Sequence, residues 1–336
     1  MNRSQKVVTF GEVMLRLAAP GVERLLQTSR FDATFGGSEA NVAIGLSLFG
    51  AEAAYVTVLP DQNPISDACI GEIRRYGVDT SFIARGPGRF GLYYLEAGAN
   101  QRPPRVLYDR ENSAIALARA GEIPWEHVFE GAGWFHLSEI TPAISSSAAD
   151  IAMEAMRKAK SAGLTVSCDL NHRKNLWKWG KEACDVMPGL MQFTDIVIGN
   201  RETMEVVLSV SAKGDFMAVT RESLKTYPNL KMVVLTRRES QSASHNSWSA
   251  CLDDGKQFLE SRRYEITHMV ERVGGGDAFD AGLIYGILNL PTLQDALEFA
   301  SATAVLKHST PGDFNRATLD EVNALLKNGG SGKVLR

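Results

Sequence analysis

The sequence predicts an α/β fold: a mostly parallel sheet covered by helices, with a small second sheet set into it. Three observations carry this. Short β-branched runs alternate with longer segments of helical period along most of the chain, the pattern of successive βαβ units. Two stretches break that alternation with paired short strands whose side chains change face at every residue. The chain has 336 residues, 44% of them hydrophobic, enough for a full core without disulfide stapling.

The elements follow in order. Residues 7–10 open as a buried strand. Residues 12–17 with 31–35, and 90–96 with 105–108, read as antiparallel pairs, in which Leu92 and Tyr94 face opposite to Tyr93 and Leu95. Together these four make a small lid sheet. Helix 38–49 starts after two glycines, and strand 54–59 and helix 66–76 complete the first unit. Strand 134–138, helix 145–162, strand 164–170, helix 181–191, strand 196–198, helix 214–226 and strand 232–236 repeat it. In 145–162, Ala148, Ile151, Ala152, Ala155 and Ala159 recur at helical spacing while Arg157, Lys158 and Lys160 face away, giving an amphipathic cover helix. Cys251-Leu-Asp-Asp-Gly255 reads as a hairpin turn. Helices 275–288, 293–307 and 319–326 close the chain, and residues 329–336 read as a disordered tail.

Composition excludes several function classes. The 36 Lys+Arg nearly balance the 39 Asp+Glu, with no basic stripe to suit a nucleic acid. The N-terminus lacks an apolar leader, and apolar runs such as 282–290 fall short of the ~20 residues that span a bilayer. The 4 cysteines are scattered without a CxxC, and no HExxH occurs, so no Cys- or His-built metal site is expected. A cytoplasmic protein is the resulting expectation. Gly86-Pro-Gly88-Arg-Phe-Gly91 matches GxGxxG but opens a strand, where a dinucleotide loop must open a helix. Gly332-Lys333 likewise lacks the rest of a P-loop.

The most informative string is Val273-Gly274-Gly275-Gly276-Asp277-Ala278-Phe279. Three glycines lead into a nearly all-apolar helix, which must be buried, so its N-terminus lies at the centre of the fold. Backbone N–H groups bare of Cβ converge there, and the helix dipole adds roughly half a positive charge. Such a site suits the charge on a transferring phosphoryl group, with Asp277 placed to take a proton from an attacking hydroxyl. On the residues alone a second reading stands beside it: a glycine-rich turn whose aspartate only caps the helix.

Here the sequence resembles the ribokinase-type (PfkB) carbohydrate kinases, whose C-terminal signature has the form G-A-G-D-x-F. The glycine-rich N-terminal signature of that family is also present, as Phe35-Gly36-Gly37-Ser38-Glu39-Ala40-Asn41-Val42-Ala43, and the similarity runs from about Val7 to Leu326. The resemblance implies a ribokinase-like three-layer α/β/α sandwich: an α/β core over 1–11, 37–88 and 111–328, and a β-sheet lid over 12–36 and 89–110. It implies an ATP- and Mg²⁺-dependent kinase acting on a sugar, with Asp277 as general base and the Gly274, Gly275 and Gly276 amides as anion hole. Gly36, Gly37 and Asn41 match the loop that holds sugar hydroxyls. Asn200 and Thr236, with Lys307 and the anion-hole glycines Gly274 and Gly276, match nucleotide contacts.

Three places depart from the family's pattern. Thr203 stands where an acidic residue near Mg²⁺ is usual, leaving Glu202 one position early as an indirect metal contact. Glu271-Arg272-Val273 replaces the common Asp-Thr-Thr type, which leaves a monovalent-cation site open, and Arg237-Arg238-Glu239-Ser240 replaces a glycine-containing loop. The strings are most similar to those of 2-keto-3-deoxygluconate kinases, in which residues matching Tyr93, Tyr108, Arg110 and Arg173 hold the sugar acid. Arg16 stands where members acting on neutral sugars carry Asp, and a guanidinium suits a carboxylate. The expected reaction is phosphorylation of the terminal hydroxyl of 2-keto-3-deoxygluconate. The alternatives are a kinase of a neutral sugar such as fructose or ribose, and a non-catalytic sugar-binding regulator. Open lid edges pair, so a homodimer through the lid is expected.

Overall fold

The computed structural model describes residues 6–211 and 213–329. The chain begins with β1 (Lys6–Phe10), β2 (Met14–Ala18), β3 (Asp32–Gly36), α1 (Ser38–Leu48), β4 (Ala53–Pro60), α2 (Pro64–Arg75) and β5 (Ile83–Gly86). Next come β6 (Leu92–Glu96), β7 (Arg105–Asp109), α3 (Ala114–Leu117), α4 (Trp125–Val128), β8 (Ala132–Ser138), α5 (Ile140–Ile144), α6 (Ser146–Ser161) and β9 (Thr165–Asp169). They are followed by α7 (Ala183–Met191), β10 (Ile196–Gly199), α8 (Arg201–Leu208), α9 (Phe216–Thr226) and β11 (Met232–Ser240). The chain closes with β12 (Asn246–Asp253), β13 (Phe258–Glu260), β14 (Tyr264–Ile266), α10 (Gly275–Asn289), α11 (Leu293–Lys307) and α12 (Leu319–Asn328).

The central sheet has the order β13-β12-β11-β10-β9-β8-β1-β4-β5, with β14 also on β12. All neighbours from β11 to β5 are parallel, and β12 adds an antiparallel edge. Successive strand residues feed two separate cores. Val8, Val197 and Val233 pack under α6, α7, α8 and α9, while Val7, Ile198 and Val234 pack under α1, α2, α10 and α11. With both faces covered, the strands carry apolar residues at nearly every position, as parallel sheets require. The fold is the expected ribokinase-like three-layer sandwich.

The smaller sheet has the order β3-β2-β6-β7. Its two pairs are antiparallel as expected, but they join through a parallel β2–β6 contact, from Leu15 opposite Leu92 to Ala18 opposite Leu95. Boundaries moved where local caps decide them. α2 starts at Pro64 because Asn63 accepts the amides of Ile65 (2.9 Å) and Ser66 (3.3 Å), and α7 starts after a Glu182–Asp185 capping box. β11 runs four residues past the expected 236, since β12 pairs with it as far as Ser240–Asn246. Of the expected tail 329–336, Gly329 caps α12 and the remainder lies outside the described residues.

α10 lies between α1 and α11 at close range. A Cβ on Gly45 would sit 2.7 Å from the Ala281 methyl, and one on Gly286 2.6 Å from Ala296 Cα. Because the second neighbour is backbone, Gly286→Ala is expected to lower unfolding stability by about 1–3 kcal/mol through overpacking. Chemical denaturation reads this directly, and an unchanged midpoint would mean that the helices separate freely. This packing points the N-terminus of α10 at the ends of the parallel strands.

Candidate active site

A cavity of about 940 Å³ lies between the carboxyl ends of the parallel strands and the small sheet. That is where open α/β sheets place their ligands. Its floor is the start of α10. Gly274 caps the helix in the left-handed conformation (φ 81°), and a Cβ there would lie 2.2 Å from the Asp313 carbonyl oxygen, so only glycine fits. Gly275 abuts His308, whereas nothing approaches a Cβ position on Gly276, which opens onto the cavity. The three amides begin a 15-residue helix and so keep unsatisfied donors and the positive dipole end.

Asp277 is 6% exposed in the first turn of α10. Its Oδ1 accepts from Ser38 Oγ at 2.7 Å and its Oδ2 from Asn41 Nδ2 at 2.6 Å, both from the start of α1. Burial raises its pKa, and these two hydrogen bonds pull it back toward the ionised form. A carboxylate that only capped the helix would accept from backbone amides; this one does not, and no cap bond is made from it. The two glycine-rich signatures thus meet at one carboxylate.

Two further carboxyls lie below it. Asp169, at the end of β9, is pushed to about 8 by burial and the Asp277 charge. Asp280 is raised well above the ordinary range by burial, then by Asp169. The two hydrogen-bond to each other, so one of them keeps its proton. His136 stands behind, Nε2 3.8 Å from Asp280 Oδ2 and Nδ1 2.8 Å from Ser167 Oγ, held neutral by burial with a pKa of about 3. The folded chain therefore keeps a proton that the unfolded chain releases near pH 4. Taken alone this shared proton makes stability fall as pH rises from 4 to about 8; below about 6.5 it is offset by His136, which binds a proton only when unfolded, so the decline is exposed between about 6.5 and 8. Thermal unfolding should show this decline, and Asp280→Asn should flatten it; a pH-independent midpoint would contradict the shared proton.

The remaining expected residues divide into two groups. Gly36, Gly37, Asn41, Tyr93, Tyr108 and Arg173 line the cavity, as do Asn200, Glu202 and Thr236 at the other end. Asn200 caps α8, accepting the Thr203 amide at 3.0 Å, while the Asn200 amide donates to Thr203 Oγ1 at 2.9 Å. The threonine that departs from the family's pattern thus closes a capping box. Thr236 Oγ1 donates to the Gly199 carbonyl at 3.2 Å.

Arg16, Arg110 and Lys307, expected as ligand contacts, do not line this cavity. Arg16 is 5% exposed and holds Asp313 (2.7 Å) and Glu271. Arg110 is 7% exposed, with Nε 2.6 Å from Glu12 Oε2. Both guanidiniums already have carboxylate partners inside the protein. Lys307 is fully buried behind Gly274, its Nζ donating to the Thr310 carbonyl at 3.3 Å, and burial lowers its pKa to about 8.

Two arginines that the sequence reading did not single out face the cavity instead. Arg238 and Arg272 both line it, and neither makes a salt bridge among the described residues. Burial lowers the pKa of Arg238 to about 9, with Arg272 adding repulsion, and burial lowers that of Arg272. Two like charges without a counterion mark a place for a polyanion. Their signal in the sequence was that both fall in segments that depart from the family's pattern. Among the described residues no group of three His, Cys, Asp or Glu forms a metal cluster, and no helix is long and apolar enough to cross a membrane.

Comparison with known proteins bears on this geometry. The chain is 32% identical over 327 residues to a 2-dehydro-3-deoxygalactonokinase of Haloferax volcanii, covering 97% of this chain and 98% of that one. It is 28% identical over 312 residues to a 2-dehydro-3-deoxygluconokinase of Bacillus subtilis, covering 92% and 91%. The crystal structure of a 2-dehydro-3-deoxygluconokinase from Thermotoga maritima matches with a TM-score of 0.92 at 46% identity, over 96% of this chain and 100% of that one. A family model described as pfkB family carbohydrate kinase matches residues 4–318, a span that takes in both glycine-rich signatures and the cavity between them. The chain belongs to the PfkB family of carbohydrate kinases, and it is a sugar kinase.

Proposed function

We propose that this kinase transfers the γ-phosphate of ATP to the terminal hydroxyl of 2-keto-3-deoxygluconate. The observation that carries an acid substrate is Arg173. It lines the cavity without a salt bridge among the described residues, and its charge acts on both Asp169 and Asp277, so it stands beside the base. A guanidinium there pairs with a substrate carboxylate and gains little from a neutral sugar. The likeness to the 2-dehydro-3-deoxygluconokinases of Bacillus subtilis and Thermotoga maritima supports the same substrate.

In this reading Gly36, Gly37, Asn41, Tyr93 and Tyr108 hold the sugar against Asp277, and Arg173 orients its acid end. Asp277 takes the hydroxyl proton as that oxygen bonds to the γ-phosphorus and the bond to the ADP oxygen breaks. The Gly274–Gly276 amides meet the charge that spreads over the phosphoryl oxygens, with no reorganisation needed. Asn200, Thr236, Arg238 and Arg272 take the polyphosphate. Phe216, with Arg237 3.8 Å from its ring centroid, supplies a flat wall for the base. Mg²⁺ would arrive on the triphosphate and neutralise its charge; Asn200 and Glu202 suit its water shell, since the described residues offer no cage of their own.

A monovalent cation fits poorly. The Glu271 side chain is already filled by Arg16 and by the amides of Arg272 and Val273, with the Lys307 ammonium nearby. Exchanging K⁺ for choline at matched ionic strength should leave the rate within about twofold. A large loss would show an ion site. The reading includes a cytoplasmic setting, where ATP is available, and a homodimer through the lid, whose outer strands β3 and β7 are largely exposed.

The test is ADP formation over a panel: 2-keto-3-deoxygluconate, its C4 epimer, fructose and ribose. The acids should exceed the neutral sugars in kcat/KM by about 10–100-fold, since Arg173 is exposed and a hydrogen bond to a charged group is worth ~1.5–3 kcal/mol. Equal or better turnover of fructose or ribose would move the assignment to a neutral sugar. Absence of ADP formation with every compound would favour a sugar-binding regulator.

A further inference from the structure

Arg16 takes no part in the chemistry above, yet it is the centre of a buried ionic network that joins both halves of the site. It stands on lid strand β2, with Nη1 2.7 Å from Asp313 Oδ1 and Nη2 on Glu271 Oε2. From lid strand β6 the Tyr93 hydroxyl donates to the same Asp313 oxygen at 2.6 Å. The charges of Asp313 and Glu271 outweigh burial and hold the guanidinium firmly ionised.

The two carboxylates lead to the reacting groups. Glu271 Oε1 accepts the amides of Arg272 (2.9 Å) and Val273 (3.1 Å), the two residues that lead into Gly274. Asp313 touches both sides of the cavity. Its carbonyl oxygen lies 2.2 Å from where a Gly274 Cβ would be, and its carboxylate 2.1 Å from where a Gly36 Cβ would be. One guanidinium therefore ties lid, sugar loop and anion hole through two side chains. Buried ion pairs are often no more stable than apolar residues of the same size, so stability alone does not account for the network.

We propose that Arg16 is a positioning residue that couples the lid to the anion hole, aligning the Gly274–Gly276 amides through Glu271 and Asp313. The inference rests on the kinase reading above, but not on which sugar is bound. Sugar seated under the lid at Tyr93 and Gly36 would then be felt at the phosphate side, and loss of Arg16 would slow transfer more than it weakens sugar binding. Misplacement of reacting groups by about 1 Å costs on the order of 10²-fold in rate.

The experiment compares Arg16→Met, Glu271→Gln and the double variant with wild type, by kcat, KM for the sugar acid, and hydrogen exchange of the 272–276 amides. Arg16→Met should lower kcat at least about tenfold with KM within about threefold, and speed exchange at 272–276. The double variant should be no slower than the worse single one, because both cut one connection. A tenfold rise in KM with kcat retained would overturn the proposal and return Arg16 to substrate binding. Unchanged kinetics and exchange would overturn it as well. If Arg16→Met does not fold, Glu271→Gln decides: the same kcat loss supports the coupling and normal kcat overturns it. If the wild-type protein phosphorylates nothing in the panel, the kinase reading fails by itself. Exchange at 272–276 in Arg16→Met then still decides the coupling, with faster exchange supporting it and unchanged exchange overturning it.

Discussion

Asp277→Asn should lower kcat by about 10²–10⁴-fold, the range that a positioned general base contributes. The substitution keeps the side-chain volume and the acceptor for Ser38 Oγ, and loses only the charge and the partner for Asn41 Nδ2. ATP affinity, measured by calorimetry, should stay within about threefold, because the anion hole is backbone and Arg238 and Arg272 are untouched. Unfolding stability should hold or rise, since burial opposes the Asp277 charge. The wild-type pH profile gives the sign independently. The base works only when deprotonated, so kcat/KM falls on the acid side of its folded-state pKa. Burial raises that pKa, and the acidic limb should lie above the ordinary aspartate range near 3.9. Near-normal turnover in Asp277→Asn, with no such limb, would reduce Asp277 to a structural residue.

Arg238→Gln and Arg272→Gln should each raise KM for ATP about 10–100-fold, because a hydrogen bond to a charged group is worth ~1.5–3 kcal/mol. KM for the sugar acid should change far less. Each guanidinium lowers its own affinity for a proton through burial, and the Arg272 charge adds to this at Arg238, so the empty site stores repulsion that a triphosphate relieves. The two losses should therefore not add: removing either arginine eases the other. A double variant with the summed effect of both singles would show independent contacts. No effect on KM for ATP in either single variant would place the polyphosphate elsewhere in the cavity.

Most of the fold was legible because a parallel sheet with two covered faces writes nearly continuous apolar runs, as in 54–59, 134–138 and 232–236. The start of α10 was legible as a buried glycine-rich helix N-terminus, while the residues alone left open whether Asp277 was a base or only a cap. What the sequence did not display had a common physical cause. The partners of Arg16 are 297 and 255 residues away, so the sequence displays a guanidinium but not the Asp313 and Glu271 that consume it. Arg110 and Glu12 repeat this over 98 residues. The β11 extension through Arg237, Arg238, Glu239 and Ser240 carries no apolar alternation, because its pairing is decided by β12. That extension is what carries Arg238 to the cavity. Local pattern reported where backbone donors gather; which charges are left unpaired was settled only by long-range contacts.

Transfer of one phosphoryl group to the terminal hydroxymethyl of a sugar acid leaves a product that proton-coupled phosphorus NMR identifies. The protein is incubated with ATP, Mg²⁺ and 2-keto-3-deoxygluconate, and the products are recorded without separation. ADP and a new phosphate-ester signal are expected in equal amounts, the ester split into a triplet by the two hydrogens of a CH₂–O–P group. A doublet from a secondary carbon, or free phosphate released without any ester, would contradict such transfer.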